Sequence, residues 1–343
     1  MHVFQTYLKC RRWADIPSSS DPYIHQLADL LAEFYQCSRA DTTRRKYAYA
    51  FDNFCKWCNN HVNVNPLPAT DFYLSLYFIH LSKNHSSAAK VDEANYAISW
   101  AHKLSGFPDP CKSTLCISVN ECAHRIVGHA TINKKEPITS DMLNKIVIIY
   151  GHEYSRLSDI RICCMCLISY AGFLRFSELV HLRRSDIVIN EISVNLFVQK
   201  SKTDRFRKGS NVLISRTYTS TCPVTMLERY LYMYKIDNNS NEFIFRSLSF
   251  CKKSQSFKLR GNNPLSYTRT REVLLSALES IGLDTSKFGL HSLRSGGAIA
   301  AASADITDRF FKKHGRWSSE SAKDGYVTED VHAKLSVYKN LGI

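Results

Sequence analysis

The sequence predicts a mainly α-helical protein in two parts, an all-helical N-terminal domain and an α+β domain with a small antiparallel β-sheet. Three observations predict it. Apolar residues recur at helical spacing through most of the first 128 residues and again after residue 138. The stretch Ala130–Pro137, ATINKKEP, is polar, charged and closed by proline, which reads as a linker. One run in the second half, Ile192–Gln199, alternates apolar and polar residues as a half-buried strand does. The expected layout is a poorly ordered start over 1–20, a helical domain over 21–129, a linker over 130–137 and a second domain over 138–343.

Residues 1–20 end in Pro-Ser-Ser-Ser and lack a pattern. The first helix carries Leu27, Leu30, Leu31 and Phe34 on one face. Asp41-Thr42-Thr43 offers cap residues for a second helix, in which Tyr47, Phe51, Phe54 and Cys58 form a narrow apolar stripe. Arg44, Arg45 and Lys46 open its other side; that basic face suits either solvent or phosphate contact. Thr70–Ser82 and Ser87–Leu104 are two more helices, broken by Gly106, Pro108 and Pro110. Leu115–Gly128 is the fifth.

Beyond the linker, Ser140–Tyr150 and Leu157–Ala171 read as helices. GFLRFSELVHLRRSDI adds an arginine on an apolar background and another helical turn. The strand bearing Ile192, Val194, Leu196 and Val198 turns through KSKTDRFRKGSN and returns as Val212–Ser215. Cys222–Lys235 and Ser266–Ile281 are helices, with a loose polar segment at Asp237–Asn241 after the first. Val331, Leu335, Tyr338 and Leu341 make an amphipathic C-terminal helix.

The formal charge is +14, the sign a polyanion binder needs. Residues 1–135 carry 15 basic and 11 acidic residues, and 136–343 carry 30 and 20, so the excess sits mainly in the second half. Hydrophobic content of 44% indicates a folded core. No apolar run reaches the roughly 18 residues that a membrane span requires. Met1–Ser20 lacks a secretory pattern, so the twelve cysteines are expected to be reduced and the protein intracellular. Cys55-Lys-Trp-Cys58 with His61 resembles half a zinc site; with no second CxxC, buried helix cysteines are expected instead.

The chemistry concentrates between Leu290 and Tyr326, LHSLRSGGAIAAASADITDRFFKKHGRWSSESAKDGY. His291 and Arg294 are three apart and share a helix face. The small run from Ser295 to Ala298 lets a ligand or backbone approach closely, and a helix start near His291 favours an anion. Alone, such a His-Arg pair is most often a satisfied helix contact. Phosphodiester exchange without a metal needs more: guanidinium groups for the charge that builds on a phosphorane, a nucleophile, and a proton donor for the departing oxygen. No convincing metal cluster and no G-x-x-x-x-G-K loop offers another route.

The set resembles the tyrosine recombinase (phage integrase) family. Arg175 in GFLRFSEL matches its first arginine, Glu178 the accompanying acid, and Lys202 in QKSKTD the lysine of a hairpin turn. His291 and Arg294 match the HxxR pair, Trp317 the His/Trp position, and Tyr326 the nucleophile nine residues later. The motifs span Gly172–Tyr326, and the helical half resembles the family's core-binding domain more loosely. The wording TRRKYAYAFDNFCKWC, the CPV at Cys222 and SKTDRFRKG look most like recombinases of eukaryotic mobile elements, DIRS-type or Crypton-like.

The resemblance implies that Arg175 and Arg294 clamp a scissile phosphate, where one such donor is worth about 10²–10³ in rate. Glu178 would hold Arg175 or its helix, or form an ordinary surface ion pair. Lys202 would protonate the leaving 5′ oxygen, with Lys200 as second choice. His291 would assist proton transfer, Trp317 would donate its indole N–H, and Tyr326 would form a 3′-phosphotyrosyl link. His314 and Tyr338 are the weaker rivals. No cofactor is implied, neither metal nor ATP. The partner is double-stranded DNA, held between the two domains by a tetramer on two sites, in the nucleus if the host is eukaryotic. Three other readings compete: a DNA-binding derivative that no longer cuts, a type IB topoisomerase-like activity, and a helical scaffold with no affinity for nucleic acid.

Overall fold

The structure, a computed structural model, describes residues 21–84, 87–128, 134–202, 204, 208–253, 256–304 and 306–326. The expectations for residues 1–20 and for the C-terminal helix lie outside that range. The chain divides after Asn133 into two compact units.

Helices α1 (Pro22–Gln36), α2 (Asp41–Asn59), α3 (Asp71–Asn84), α4 (Ala89–Ser105) and α5 (Thr114–Val127) build the first unit. Their ends obey local chemistry. Ser113 caps α5 by accepting from the Cys116 N–H at 3.2 Å. Gly106 closes α4 in the left-handed region at φ 75°. The start of α2 corrects the expected cap: Ala40 holds the N-cap position and has no side-chain acceptor. Asp41 falls inside the first turn, where its charge meets the helix dipole and pairs with Arg44.

Helix α2 packs on α4, and α3 on α5. Phe51, Phe54, Leu74, Phe78 and Ile98 are buried in their midst. Cys55 and Cys58 belong to this core, and burial pushes both thiols up to about 12. His61 packs on the Trp57 ring at 4.7 Å. Among the described residues no cluster of His, Cys, Asp and Glu is arranged to hold a metal ion. The apolar face of α1 forms as expected but stays exposed, with Phe34 at 72%. Periodicity determines which side of a helix is apolar; it does not supply a partner.

The second unit contains α6 (Ser140–Tyr150), α7 (Leu157–Ala171), α8 (Phe176–Val180), β1 (Ile187–Ile189), β2 (Ser193–Val198), β3 (Ser210–Ser215), α9 (Pro223–Tyr234), β4 (Arg246–Cys251), β5 (Ser256–Pro264), α10 (Tyr267–Ser280), α11 (His291–Ala302), α12 (Asp308–Gly315) and α13 (Glu320–Asp324). Helix α7 is its axis and touches α6, α8, α9, α10 and α11. Its ICCMCLIS run is buried almost throughout, so Cys163, Cys164 and Cys166 are core. Among the described residues the buried cysteines, Cys222 included, are free thiols.

Strands β1, β2 and β3 form an antiparallel sheet, with Leu196 opposite both Ile187 and Val212. Val194, Leu196, Val198, Val212 and Ile214 face the core. Strand β1 and the β4–β5 hairpin were not legible in the sequence. Three residues are too few to show alternation, and the hairpin strands are exposed along much of their length. The expected linker also changes. Its described residues are tied to the second unit, Glu136 N–H donating to the Lys287 carbonyl at 2.8 Å. Likewise, the polar segment at Asp237–Asn241 is an ordered turn, its Ser240 carbonyl accepting from the Ser185 N–H. No helix among the described residues is long and apolar enough to cross a membrane.

Candidate active site

The site begins where α7 ends. After Gly172, Phe173 takes a left-handed backbone at φ 46°, and the chain re-enters extended geometry at Arg175. Arg175 is the N-cap residue of α8, and Glu178, three on, reaches back to accept the Arg175 backbone N–H at 2.9 Å. Glu178 also accepts from the Arg175 guanidinium at 2.7 Å. Its side chain is fully buried, which corrects the surface ion-pair alternative.

Two further arginines meet the same carboxylate. Arg316 lies at 2.9 Å and Arg294 at 3.9 Å. Burial raises the Glu178 pKa, but Arg316 above all, then the Arg175 N–H and guanidinium, outweigh it and leave the carboxyl below its ordinary value. Three guanidiniums around one carboxylate leave the pocket with an excess of two positive charges.

Arg294 is 0% exposed. It is driven inward because α11 lies unusually close to its neighbours. A Cβ on Gly296 would stand 1.8 Å from the Ile138 carbonyl oxygen, and one on Gly297 2.1 Å from that of Tyr170. The small run that could have admitted a ligand admits the protein's own backbone. The Arg294 guanidinium donates to the carbonyls of Phe173 and, at 2.7 Å, Gly315. It lies 5.3 Å from the Trp317 ring and 5.9 Å from that of Tyr326, a cation against two aromatic faces. Its Nε–H has no hydrogen-bond partner among the described residues.

His291 occupies the first turn of α11 at the solvent-facing rim. Its Nε2 is 2.8 Å from the Tyr326 hydroxyl. Desolvation, then the charges of Arg294 and Arg175, hold its pKa below the usual histidine value. It is therefore neutral near pH 7, and Nε2 can accept the phenolic proton when Nδ1 carries the ring proton.

Trp317 follows α12 and Arg316. Two positions before it only glycine fits, since a Cβ on Gly315 would lie 2.0 Å from the indole. Trp317 packs on Phe311 at 4.8 Å and on Tyr326 at 5.2 Å. Tyr326 comes two residues after α13. That short helix is capped by Ser319 and anchored by Lys323, which pairs with Asp308 and with Glu320 at 2.7 Å. The phenol is thus delivered by a pinned helix end.

The β2–β3 hairpin approaches through Ser201, whose hydroxyl accepts from Arg175 at 3.0 Å. Lys202 and Lys200 are exposed on either side of it. Arg45 and Lys46 are exposed on α2, whereas Arg44 is tied to Asp41. The structure therefore gathers Arg175, Glu178, His291, Arg294, Trp317 and Tyr326. His314, the rival to Trp317, instead donates to the Ala171 carbonyl at 2.8 Å and packs on Phe173 at 4.6 Å, so its role is structural. Sequence reasoning missed Ser201 and Arg316. Nothing in their local wording marks them, because both act through residues far away in the chain.

The sequence profile described as Phage integrase family matches residues 138–332. An integrase/recombinase XerD homolog from Selenomonas ruminantium is 28% identical over 297 residues, covering 85% of this chain and 83% of the homolog. The structure of XerH site-specific recombinase bound to palindromic difH substrate aligns with a TM-score of 0.60 at 13% identity, over 98% of this chain and 94% of that one. A lambda integrase dimer bound to a COC′ core site aligns at 0.54 and 17%, over 90% and 96%. At these identities the structural likeness is one of fold, and it is the mainly helical fold with small antiparallel sheets expected from the sequence.

Proposed function

The chain belongs to the phage integrase, or tyrosine recombinase, family, and from that premise we infer that it cuts and rejoins DNA through a phosphotyrosyl intermediate. The observation that carries the reading is the contact between the Tyr326 hydroxyl and His291 Nε2, 2.8 Å apart beside Arg294.

The Tyr326 oxygen attacks the scissile phosphorus and gives its proton to neutral His291. Arg175 and Arg294 bear on the phosphate and offset the negative charge that builds on its non-bridging oxygens. The bond from phosphorus to the 5′ oxygen breaks, and that oxygen takes a proton from Lys202, with Lys200 as the alternative donor. The products are a 3′-phosphotyrosyl link and a free 5′ hydroxyl. A 5′ hydroxyl from another strand reverses the attack. The bond energy is kept, so the step draws on neither ATP nor a metal.

The DNA-bound relatives support duplex DNA as the partner. A tetramer on two sites, an origin among eukaryotic mobile elements and work inside the cell, in the nucleus of a eukaryotic host, complete the proposal. The phrases TRRKYAYAFDNFCKWC and SKTDRFRKG support that origin.

The test is a nicked duplex whose cleaved end diffuses away and traps the adduct. Wild type is expected to form a covalent complex, and Tyr326→Phe to form none while retaining DNA affinity. Binding without any adduct in the wild type would favour a DNA-binding derivative. Relaxation of supercoils without strand exchange would favour a topoisomerase-like activity.

A further inference from the structure

Arg316 stands where the backbone favours glycine. It closes α12 at φ 55° and ψ 39°, in the left-handed region that crowds a Cβ. The cap itself needs no side chain, because the Arg316 backbone N–H already donates to the carbonyls at the end of α12. The side chain nevertheless runs inward and is only 6% exposed, so a charged group is also withdrawn from water. Two unfavourable choices at one residue point to a purpose beyond ending a helix.

The contacts show what the side chain spans. Its Nη1 donates to the carbonyls of Gly172 at 3.1 Å and His314 at 2.8 Å. Its Nη2 donates to the Phe173 carbonyl at 2.9 Å and to Glu178 Oε2 at 2.9 Å. Phe173 is the other left-handed residue of the site, and its carbonyl also accepts from Arg294. The two strained residues are therefore bonded to each other, and both bear on Arg294.

The distances around Glu178 divide the labour. Arg316 occupies Oε2 at 2.9 Å, while Arg294 stays 3.9 Å from the same carboxylate, beyond hydrogen-bond reach. One carboxylate cannot serve three guanidiniums equally. We propose that Arg316 is a positioning residue for strand cleavage: it satisfies Glu178 and fixes the Phe173 carbonyl, so that Arg294 is held toward Trp317 and Tyr326 rather than drawn into an ion pair. This rests on the recombinase reading. Without Arg316, the carboxylate would pull Arg294 by about the ångström that separates a productive pose from a poor one, at a cost of about 10²-fold in rate.

The test uses the full chain and single-turnover cleavage of the nicked duplex at saturating DNA, with Kd from gel shift and Tm from thermal unfolding. Arg316→Gly suits the backbone and removes the clamp. It is expected to bind DNA within about twofold of wild type and to cleave about 10²-fold more slowly. Adding Glu178→Gln removes the charge that would capture Arg294, so the double variant is expected to cleave faster than Arg316→Gly alone. A purely structural role predicts no such recovery, because a second lost contact only adds damage. If Arg316→Gly does not fold, Arg316→Gln decides, keeping donors without the charge and losing at least tenfold. Cleavage within tenfold of wild type by the folded single variant, or a double variant no faster than Arg316→Gly, overturns the proposal. Those results leave wild-type cleavage intact, so they are distinct from failure of the recombinase reading, in which wild type itself forms no adduct.

Discussion

The two units bury charge to different extents. Among the described residues, most buried charged side chains lie in the second unit: Arg161, Glu178, Arg184, Asp186, Arg246, Arg294 and Lys323. In the first unit the buried polar residues are Ser75, His102 and Ser105, and the withdrawn Asp109 carboxylate is met by Lys103 and Ser99 at its edge. The histidines sharpen the contrast. His102 is fully engaged, Nε2 accepting from the Ala69 N–H at 2.9 Å and Nδ1 donating to the Ile98 carbonyl at 2.8 Å. Desolvation lowers its pKa, as it does that of His291. The same shift serves packing in one place and a phenol in the other. A lowered pKa thus identifies a desolvated ring; only the partner distinguishes structure from chemistry. Burying charge is costly unless every partner is supplied, and the second unit bears that cost where oriented guanidiniums can act on a phosphate.

The largest effect expected from breaking this contrast is Glu178→Ala. It removes the carboxylate that accepts from the Arg175 and Arg316 guanidiniums and should cost about 3–5 kcal/mol of stability, together with cleavage. Phe54→Ala in the first unit should cost a similar 3–5 kcal/mol through its cavity, yet leave cleavage by the folded fraction unchanged. Denaturant unfolding and single-turnover cleavage on the same samples separate the two, and a matched loss of cleavage in Phe54→Ala would erase the distinction.

A smaller effect concerns pH. His291 must be neutral to accept the phenolic proton, and its pKa lies below the ordinary value of about 6.5. Acidification protonates it with a midpoint below that value, so the loss of cleavage rate at falling pH should be centred below about 6.5. A decline already centred above 6.5 would contradict the assignment.

The smallest effects are expected on the surface of α2. Arg45→Ala and Lys46→Ala should each flatten the dependence of log K on log salt by about 0.9 if that side chain meets a phosphate, while stability shifts by no more than about 0.5 kcal/mol. A salt slope identical to wild type would return these residues to ordinary solvated positions.

Much of the fold was legible because strong periodic patterns coincide with helices. Helices α6 and α7 have the boundaries their wording predicts, and the stripe of Phe51, Phe54 and Cys58 is buried as its spacing requires. The illegible parts are those whose reason is not local. Strand β1 exists because β2 is beside it, and α1 has an apolar face whose exposure no spacing could foretell. In the site, Arg175, His291, Arg294, Trp317 and Tyr326 were readable as residue types in a telling order. Arg316 was not, since its wording is that of any basic turn.

The sequence alone determined the family, the order of the helices and the chemical groups available for reaction, because these depend on side-chain identity and short-range spacing. Tertiary structure decided which of those groups share a pocket, that Glu178 is a buried hub, and that Arg316 joins Arg175 and Arg294 around it. Such assignments depend on residues more than a hundred positions apart meeting across α7 and α11, and on burial, which turns a modest surface ion pair into a fixed orientation.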